Sequence, residues 1–463
     1  ANSHNTVGAV SINITMRPIL TTASRRLLFN GRITSVRSLN VGLIRRDAGA
    51  PTMRCNGRAQ TITSADGGGL ARMAFRRSLS TTDASLPLAS SSSLGIFESL
   101  VLPHLDSLSA LPEVSAALAT PSADKSTIEG LTRAVQIFES MKGSPLHVAV
   151  QCLLADGYQQ TGQYKQAIQV LEQLLQQGEQ SPNNMVNIQL ALSKALFHDG
   201  DFERALGATS DLLDSPQVQS SVVARGTVLC AQGTIRLVQL NKDDDGYEQA
   251  QEVIKVLRVA AKSLESHGDI GAAAYNNLGV AQIVSELVFL DRVRVDSAMS
   301  CLHQGLDMAS ADNDLVKGRI YSNMAHVLLM EDDDDDDMLK LASEYAREAL
   351  RIYEKSTQLS DMEKQAGLGR SLNLVASCYV RADAAVTAEG LLQTAIDMPG
   401  VDPLTKIARR EVYRTYSELC RKWEKREADK DRLEKESVEI NDSLAKGWKD
   451  KPGLMSGLLF CTM

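Results

Sequence analysis

The apolar residues of positions 148–400 follow the spacing of paired amphipathic helices. In GYQQTGQYKQAIQVLEQLL, residues 157–175, a helix ends at a glycine and a second helix then carries Ala167 on its apolar face. HDGDFERALGATSDLL, residues 198–213, repeats these offsets with Ala205, 38 residues further on. A chain that repeats a unit of two helices in this way is predicted to be a helical repeat protein.

A small residue recurs at the same place in six such units. Successive members lie 38, 45, 48, 44 and 46 residues apart. The first helix of a unit also carries a small residue, such as Gly279 in AAYNNLGVAQ, where glycine costs about 1 kcal/mol relative to alanine. We therefore expect neighbouring helices to pass very close to these positions, so that stacked units bury each other's apolar stripes. The six residues of the second helices are Ala167, Ala205, Ala250, Ala298, Ala342 and Ala388.

These units resemble the tetratricopeptide repeat (TPR) family over residues 148–400. In YNNLG, Tyr275 stands where the family has Trp, Leu278 and Gly279 stand in their family places, and Ala298 follows in the second helix. Four of the five spacings exceed the family's basic length by roughly ten residues, as in the longer variants of the repeat. The resemblance implies an all-α, right-handed superhelical solenoid of about six antiparallel helix pairs, whose first helices line a concave face that binds protein.

The resemblance also implies which side chains face the concave side. The groove is mixed, and its basic residues gather toward the C-terminal end, which suits an acidic or carboxylate-bearing segment. The clamp for chaperone tails in some family members needs Lys and Asn at fixed places. The first repeat has Cys152 and Asp156 there, so we do not carry that specificity over. The candidate protein-binding residues are Asp156, Gln159, Gln160, Asn187, Lys194, His198, Asn276, Arg319, Ser322, His326, Arg370, Asn373, Ser377 and Arg381.

The segments outside the repeats are assigned by composition. We expect the tail to be loose, although its apolar end GLLFCTM is able to dock. The proposed divisions are a transit peptide or disordered region at 1–82, a linker at 83–94, N-terminal helices or a divergent repeat at 95–147, a capping helix extended by a charged helix at 401–447, and a tail at 448–463.

Charge divides the chain into a basic head and an acidic body. The net charge is -8, but residues 1–82 carry +10, with twelve Arg and no Lys, and the remainder carries -18. An Arg-, Ser- and Thr-rich head is typical of an organellar transit peptide. The sequence from Met16 onward has the character of a natural start, and AFRRSLSTT, residues 74–82, resembles a mitochondrial processing site. We predict a mitochondrial location, with a plastid as the alternative.

The sequence contains no motif for nucleotide binding or hydrolysis, and we expect neither an enzyme nor a cofactor. The seven cysteines are scattered. One stretch, NKDDDGYEQAQE, resembles an EF-hand calcium loop, with Asn241, Asp243, Asp245 and Glu252 as the ligands. Glu248 stands where that loop needs an aliphatic residue. We therefore interpret the stretch as an acidic turn and predict no metal site, with a calcium-responsive adaptor as an alternative.

A second acidic feature is the aspartate run in MEDDDDDDML. Such a run repels itself and cannot enter a core, so it is predicted to form a loop between two helices. It serves solubility, or it forms an acidic rim that steers basic segments of a partner. The run consists of Asp332, Asp333, Asp334, Asp335, Asp336 and Asp337.

These observations predict a non-enzymatic scaffold. We expect an organellar TPR adaptor that binds protein partners, either in the assembly of a mitochondrial complex or as an accessory subunit of one. The alternative from another class is an RNA-binding helical-repeat protein. The body charge of -18 disfavours it, because an RNA groove needs a basic surface facing the phosphates. We expect neither nucleic acid as a partner nor a membrane span.

Overall fold

The computed structural model of the chain describes residues 101–460 with short gaps. Those gaps are residues 105–106, 109, 113, 116–122, 178–181, 241–245, 290–294, 331–335, 358, 399–401 and 424. The predicted transit peptide (1–82) and linker (83–94) therefore lie outside the described residues, as does the start of the predicted N-terminal helices.

Over the described residues the chain is all-α, as predicted, and contains no strand. The described part of the chain contains sixteen α-helices, and neighbours in sequence pack as pairs. They are α1 (Lys125–Ile137), α2 (Pro145–Gln160), α3 (Tyr164–Gln176), α4 (Pro182–Asp199), α5 (Phe202–Leu213), α6 (Pro216–Ser220), α7 (Val222–Gln239), α8 (Gly246–Ser263), α9 (Gly268–Phe289), α10 (Val295–Met308), α11 (Asp314–Met330), α12 (Asp336–Lys355), α13 (Asp361–Arg381), α14 (Ala385–Ile396), α15 (Pro403–Arg421) and α16 (Glu427–Asp442).

Seven helix pairs form the stack. We call the first member of each pair a first helix and the other a second helix. The pairs are α2–α3, α4–α5, α7–α8, α9–α10, α11–α12, α13–α14 and α15–α16, while α1 packs on α2 and the short α6 lies between α5 and α7.

The ends of the helices follow ordinary capping chemistry. Gly162 and Gly200 stand just after first helices with φ angles of 73° and 87°, a backbone conformation that glycine adopts without strain. At the other end, Ser360 and Glu363 form a capping box before α13. The Asp402 side chain accepts hydrogen bonds from the backbone N–H groups at the start of α15.

The small residues lie where two helices meet, as the spacing predicted. All six alanines of the second helices are buried. A Cβ atom added to Gly279 of α9 would lie 3.0 Å from Leu302 Cγ and 3.2 Å from the Ala298 carbonyl oxygen of α10. A Cβ at Gly233 of α7 would lie 2.7 Å from Leu257 Cγ of α8. Gly233 is therefore the small residue at the helix contact in the third repeat. Glycine lets the paired helices approach closely, and that packing offsets its cost to helix stability.

First and second helices differ in how they are buried. The second helices bury one stripe and expose the rest. In contrast, α9 is buried without interruption from Gly271 to Ser285. The second helix of the pair and the neighbouring helices of the stack cover only part of the surface of α9. Another element must therefore cover the rest of that surface. That element is the C-terminal end of the chain.

The C-terminal region departs from the sequence expectation in two ways. The charged extension of the predicted capping helix is a separate helix, α16, which turns back and packs on α15, where Arg421 and Glu434 form an ion pair of 2.8 Å. We also expected a loose tail with an apolar end able to dock. The apolar end does pack on the fold, and so does the stretch before it, since most side chains between Trp448 and Leu459 are buried against first helices. None of the helices described is both long and apolar enough to cross a membrane.

Candidate functional site

The candidate site is the surface where the first helices contact the C-terminal end of the chain. We call residues 446–460 the tail segment, and we call the contacting surfaces of α4, α7, α9, α11, α13 and α15 the inner face. The tail segment contains two short 3-10 turns, Lys446–Trp448 and Gly453–Gly457, with a further turn at residues 449–450 and no regular helix or strand. Its main-chain polar groups therefore depend largely on side chains of the inner face for hydrogen bonds.

At one end of the tail segment, aromatic side chains pack together. The Trp448 ring is fully buried, with its centroid 4.9 Å from that of Phe197 and 5.2 Å from that of Phe202. Its Nε1–H donates to the Phe197 carbonyl oxygen at 3.1 Å. The Phe460 ring lies 5.3 Å from the Phe197 ring, so the segment returns to the same place. We call these four residues the aromatic anchor.

The middle of the tail segment is held by α15 and by the end of α7. Arg410 donates from Nη2 to the Lys451 carbonyl oxygen and from Nη1 to Asn441 Oδ1 at 2.7 Å. Lys451 Nζ donates to the Leu240 carbonyl oxygen at 3.3 Å. Burial lowers the pKa of both Lys451 and Arg410, because desolvation disfavours the charged form.

Residues 457–459 of the tail segment, just before Phe460, are bound by asparagine amides. Asn277 Oδ1 accepts from the Leu459 N–H at 3.0 Å, and Asn277 Nδ2 donates to the Leu459 carbonyl oxygen. Asn276 Nδ2 and Asn323 Nδ2 both donate to the Gly457 carbonyl oxygen, at 3.0 and 3.1 Å. We call Asn276, Asn277 and Asn323 the amide clamp. It binds main-chain atoms of Gly457, the last residue of a 3-10 turn, and of Leu459 beyond it, so it recognises this backbone geometry rather than particular side chains.

Gly457 fits this clamp because it has no side chain. An added Cβ would lie 1.8 Å from Asn323 Oδ1 and 2.7 Å from Arg370 Nη1, distances far below van der Waals contact. The close approach brings the backbone of the tail segment directly onto the side chains of α11 and α13.

Two arginines lie beside the amide clamp. Arg319 donates from Nη1 to the Ser456 carbonyl oxygen, and Arg370 donates from Nη2 to Asn323 Oδ1 at 2.6 Å. Their exposed fractions are 8% and 4%. Neither forms an ion pair with a described residue. Burial, and then the charge of Arg319, lower the pKa of Arg370 to about 9.

Three of the predicted protein-binding residues meet at the tail segment. Asn276, Arg319 and Arg370 lie on α9, α11 and α13 and contact residues 456–457 or the amide clamp. Ser322, His326 and Asn373 lie on the same helices, Ser322 and Asn373 buried and His326 half-buried. Ser377 donates to the Asn373 carbonyl oxygen at 2.9 Å, and Arg381 donates to the Leu329 carbonyl oxygen.

The other predicted residues lie toward the N-terminal end of the stack. Gln160 donates to Asp156 Oδ2 at 2.7 Å and accepts from the Ala123 N–H at 2.8 Å, while Gln159 is buried. Asn187 and Lys194 are half-buried on α4. His198 stacks on the Tyr164 ring at 5.1 Å and lies 5.3 Å from the Phe197 ring of the aromatic anchor.

Sequence reasoning missed most of the groups that hold the tail segment. Asn276, Asn323 and Arg370 are 47 residues apart and hydrogen-bond in series. That equal spacing was available in the sequence and would have identified Asn323. Asn277 follows the predicted Asn276 in α9, so it lies on the adjacent face of that helix, where it binds Leu459. Trp448 is one of two tryptophans in the chain, and this rarity was the signal for an anchor in the tail.

The acidic features are only partly described. Of the calcium candidates, Asn241, Asp243 and Asp245 lie outside the described residues, and Glu252 is exposed on α8 in an ion pair with Lys255. Asp332, Asp333, Asp334 and Asp335 also lie outside them, whereas Asp336 and Asp337 are exposed in the first turn of α12. Within the part of the chain that is described, no three metal-binding side chains come together.

Comparisons with known proteins give distant structural neighbours. No family model matches the chain, and no curated protein matches it. Among solved structures, a TPR protein from Parabacteroides merdae is similar over 68% of this chain and 98% of its own, with 13% identity and a TM-score of 0.38. The Naa15/Naa10 complex bound to HypK-THB contains a chain similar over 75% of this chain and 64% of its own, with 13% identity and a TM-score of 0.17. The TPR-like helix pairs of the present chain are evident from its own structure.

Proposed function

We propose that this chain is a protein-binding scaffold of the TPR type that holds an extended polypeptide segment on its inner face. The observation that supports the proposal is the way in which the tail segment is held. The amide clamp hydrogen-bonds main-chain atoms of Gly457 and Leu459, and the aromatic anchor takes up the Trp448 side chain. Main-chain pairing combined with a side-chain pocket is a recurring way of binding peptides.

The rival functions have less support. An RNA-binding repeat needs a basic face for the phosphates, whereas the chain after residue 82 carries a charge of -18. A calcium-responsive adaptor would depend on residues 241–252, of which Glu252 pairs with Lys255. A catalytic role would need a nucleophile or acid–base pair. Cys152, Cys378 and Cys420 are buried, and burial raises the pKa of their thiols, which makes them poor nucleophiles.

For the cellular role we propose a mitochondrial scaffold that assists the assembly of a complex or belongs to one. The support is the Arg-rich head, with its resemblance to a mitochondrial processing site at 74–82. Fusing residues 1–94 to a fluorescent protein tests the predicted mitochondrial location. We expect mitochondrial import and cleavage near Ser80, and plastid import would overturn the mitochondrial assignment.

The binding function is tested by affinity purification of the tagged full chain from isolated mitochondria. We expect a protein partner in fixed proportion to the chain. The inner-face variant Asn277→Ala should change its yield, whereas Arg351→Gln on the exposed face of α12 should not. Equal yields from the two variants would place the partner elsewhere. Recovery of RNA in place of protein, after crosslinking, would favour the RNA-binding alternative.

A further inference from the structure

A cluster of buried polar atoms between α11, α12 and α13 has no hydrogen-bond partner among the described residues. All of its side chains are at most 8% exposed. Buried polar atoms in folded proteins nearly always have a partner, so several unpaired ones at one place indicate that a ligand or ordered solvent belongs there. We call these atoms the polar cluster. They are Arg319 Nε, Ser322 Oγ, Tyr353 Oη, Arg370 Nε and Nη1, and Ser371 Oγ.

Tyr353 reaches the polar cluster from the second helix α12 because two glycines leave room for its ring. A Cβ atom at Gly318 of α11 would lie 2.6 Å from Tyr353 Cζ and 2.9 Å from its Oη. A Cβ atom at Gly367 of α13 would overlap the same ring. Ser322 and Ser371 follow these glycines by one helical turn, so they lie on the same faces of α11 and α13. The three hydroxyls therefore border one gap between the two helices.

Two positive charges lie beside this gap. Burial raises the pKa of Tyr353, and the charges of Arg319 and Arg370 oppose that shift, so both guanidiniums are close to the phenol. Glu363 adds to the upward shift of this pKa. Its carboxylate already accepts from the Ser360 N–H at 3.2 Å and from the Ser360 hydroxyl at 2.8 Å, so it is not available to pair with either guanidinium.

The chemistry of the polar cluster favours an anion over water. A guanidinium only donates hydrogen bonds, and burying it is costly unless an opposite charge pairs with it. A water molecule accepts two of these hydrogen bonds and leaves both positive charges uncompensated. A monovalent anion accepts from several donors at once and offsets the repulsion between the guanidiniums. Because the side chains around the gap are almost without exposure, a monatomic anion suits it better than a polyatomic one.

We propose that the polar cluster is a binding site for a small inorganic anion, chloride, which pairs with Arg319 and Arg370 and accepts from Tyr353 Oη. This site does not depend on the proposed function, because it lies between helices and binds no polypeptide. It nevertheless affects the tail segment. Arg370 donates to Asn323 Oδ1 at 2.6 Å, and Asn323 Nδ2 donates to the Gly457 carbonyl oxygen at 3.1 Å. The anion holds Arg370 in place and thereby orients one amide of the amide clamp.

Chemical denaturation of the full chain in chloride, with gluconate replacing it at constant ionic strength, tests the site. An anion that binds only the folded chain makes the free energy of unfolding rise with the logarithm of its concentration. Tyr353→Phe removes one donor, so we expect its apparent dissociation constant for chloride to be about tenfold higher than that of the parent. In gluconate this variant should be at least as stable as the parent, because the lost hydroxyl has no partner.

Tyr345→Phe is the matched control. Tyr345 lies on α12 about two turns before Tyr353, and its half-buried ring lies 5.9 Å from that of Tyr321, outside the polar cluster. This variant should respond to chloride as the parent does. Equal responses of all three proteins, or no response of the parent, would overturn the anion site and leave the scaffold function in place. A rise in stability with phosphate but not with chloride would overturn the choice of ion.

Crystals grown with bromide in place of chloride locate the ion directly. We expect an anomalous scattering peak between the side chains of Arg319, Arg370 and Tyr353. A water molecule at this point would overturn the proposal. A bromide peak there without any effect of chloride on unfolding would be an adventitious ion only, and it would overturn the proposal as well.

Discussion

The aromatic anchor and the amide clamp hold the same tail segment by opposite means. At the anchor, Trp448 buries a large apolar ring between Phe197 and Phe202 and makes one hydrogen bond. At the clamp, Gly457 presents no side chain, and the three asparagines bind the backbone of residues 457 and 459. One end removes apolar area from water, and the other pairs polar atoms.

This difference gives the two contacts different roles: one determines how tightly the tail segment is held, and the other determines its position along the helices. Burial of a large aromatic side chain contributes about 3 kcal/mol or more and depends little on the exact position of the backbone. A hydrogen bond contributes about 1 kcal/mol net, but it is lost when the backbone moves by a fraction of an ångström. The anchor therefore supplies most of the stabilisation, and the clamp determines which backbone atoms face which helix.

Removing the anchor should have the largest effect. We expect Trp448→Ala to lower the free energy of unfolding by about 3–5 kcal/mol, because loss of the fully buried ring leaves a cavity and the Phe197 carbonyl keeps only the Gly200 N–H as a donor. Chemical denaturation measures the loss. Limited proteolysis of the native protein should also cut the tail segment faster than in the parent chain.

Trp423→Ala is the matched control, because Trp423 is half-buried beside Arg426 and outside the anchor. It should cost clearly less than Trp448→Ala. Similar losses in the two variants would contradict the separate role of the anchor, since the cost would then reflect the residue type alone.

The sequence was sufficient to predict the fold because the helix pairs are local. The six alanines and Gly279 recur with the repeat, and each lies at the helix contact that the spacing required. Such a signal needs only a window of about 40 residues and a period. The helix pairs therefore follow from residues that are near each other in the chain.

The site was harder to predict, because it joins residues far apart in sequence. Trp448 donates to a carbonyl 251 residues away, and Asn276 to one 181 residues away. The tail segment has no helical period that would reveal what it contacts. Even so, the 47-residue spacing of Asn276, Asn323 and Arg370 was visible, and only their common ligand was not.

Adding a methyl group at the amide clamp should have the second largest effect on stability. We expect Gly457→Ala to lower the free energy of unfolding by about 1–3 kcal/mol, because the Cβ collides with Asn323 and Arg370 and overpacks the site. Gly207→Ala in α5 is the control, since nothing lies within 4 Å of its Cβ position. It should stabilise the protein by about 0.5–1 kcal/mol, as expected for glycine replaced in a helix. Stabilisation by both changes would show that the tail segment does not lie on the clamp.

Loss of one clamp amide should have a smaller effect on stability. Asn277→Ala leaves the N–H and carbonyl of Leu459 without their partner, and we expect a loss of about 1–2 kcal/mol. Combined with Trp448→Ala, the change should be far from additive, because an unanchored tail segment no longer reaches the clamp. A double-mutant cycle measures this coupling. Strict additivity would mean that anchor and clamp act on independent parts of the chain.

At neutral pH the smallest effect should come from the two histidines beside the tail segment, and this effect grows as the pH falls. Burial lowers the pKa of His198, beside the anchor, to about 4, with Asp402 opposing and Lys194 and Arg319 adding to the shift. Burial, and then the charge of Arg370, lower the pKa of His326, beside the clamp, to about 3. Below pH 6.5 these histidines are therefore protonated in the unfolded chain but remain neutral in the folded chain. The free energy of unfolding consequently falls as the pH decreases toward these values.

Replacing either histidine should flatten this pH dependence. We expect unfolding free energies of His198→Gln to decline less than those of the parent between pH 6.5 and 4, and those of His326→Gln to decline less down to about pH 3. His303→Gln, at an exposed position, should leave the profile unchanged. If tail release detected by proteolysis follows His198 alone, protonation weakens the anchor. If it follows His326 alone, protonation acts on the clamp beside Arg370. Identical profiles in all four proteins would contradict the desolvation of both imidazoles at the tail segment.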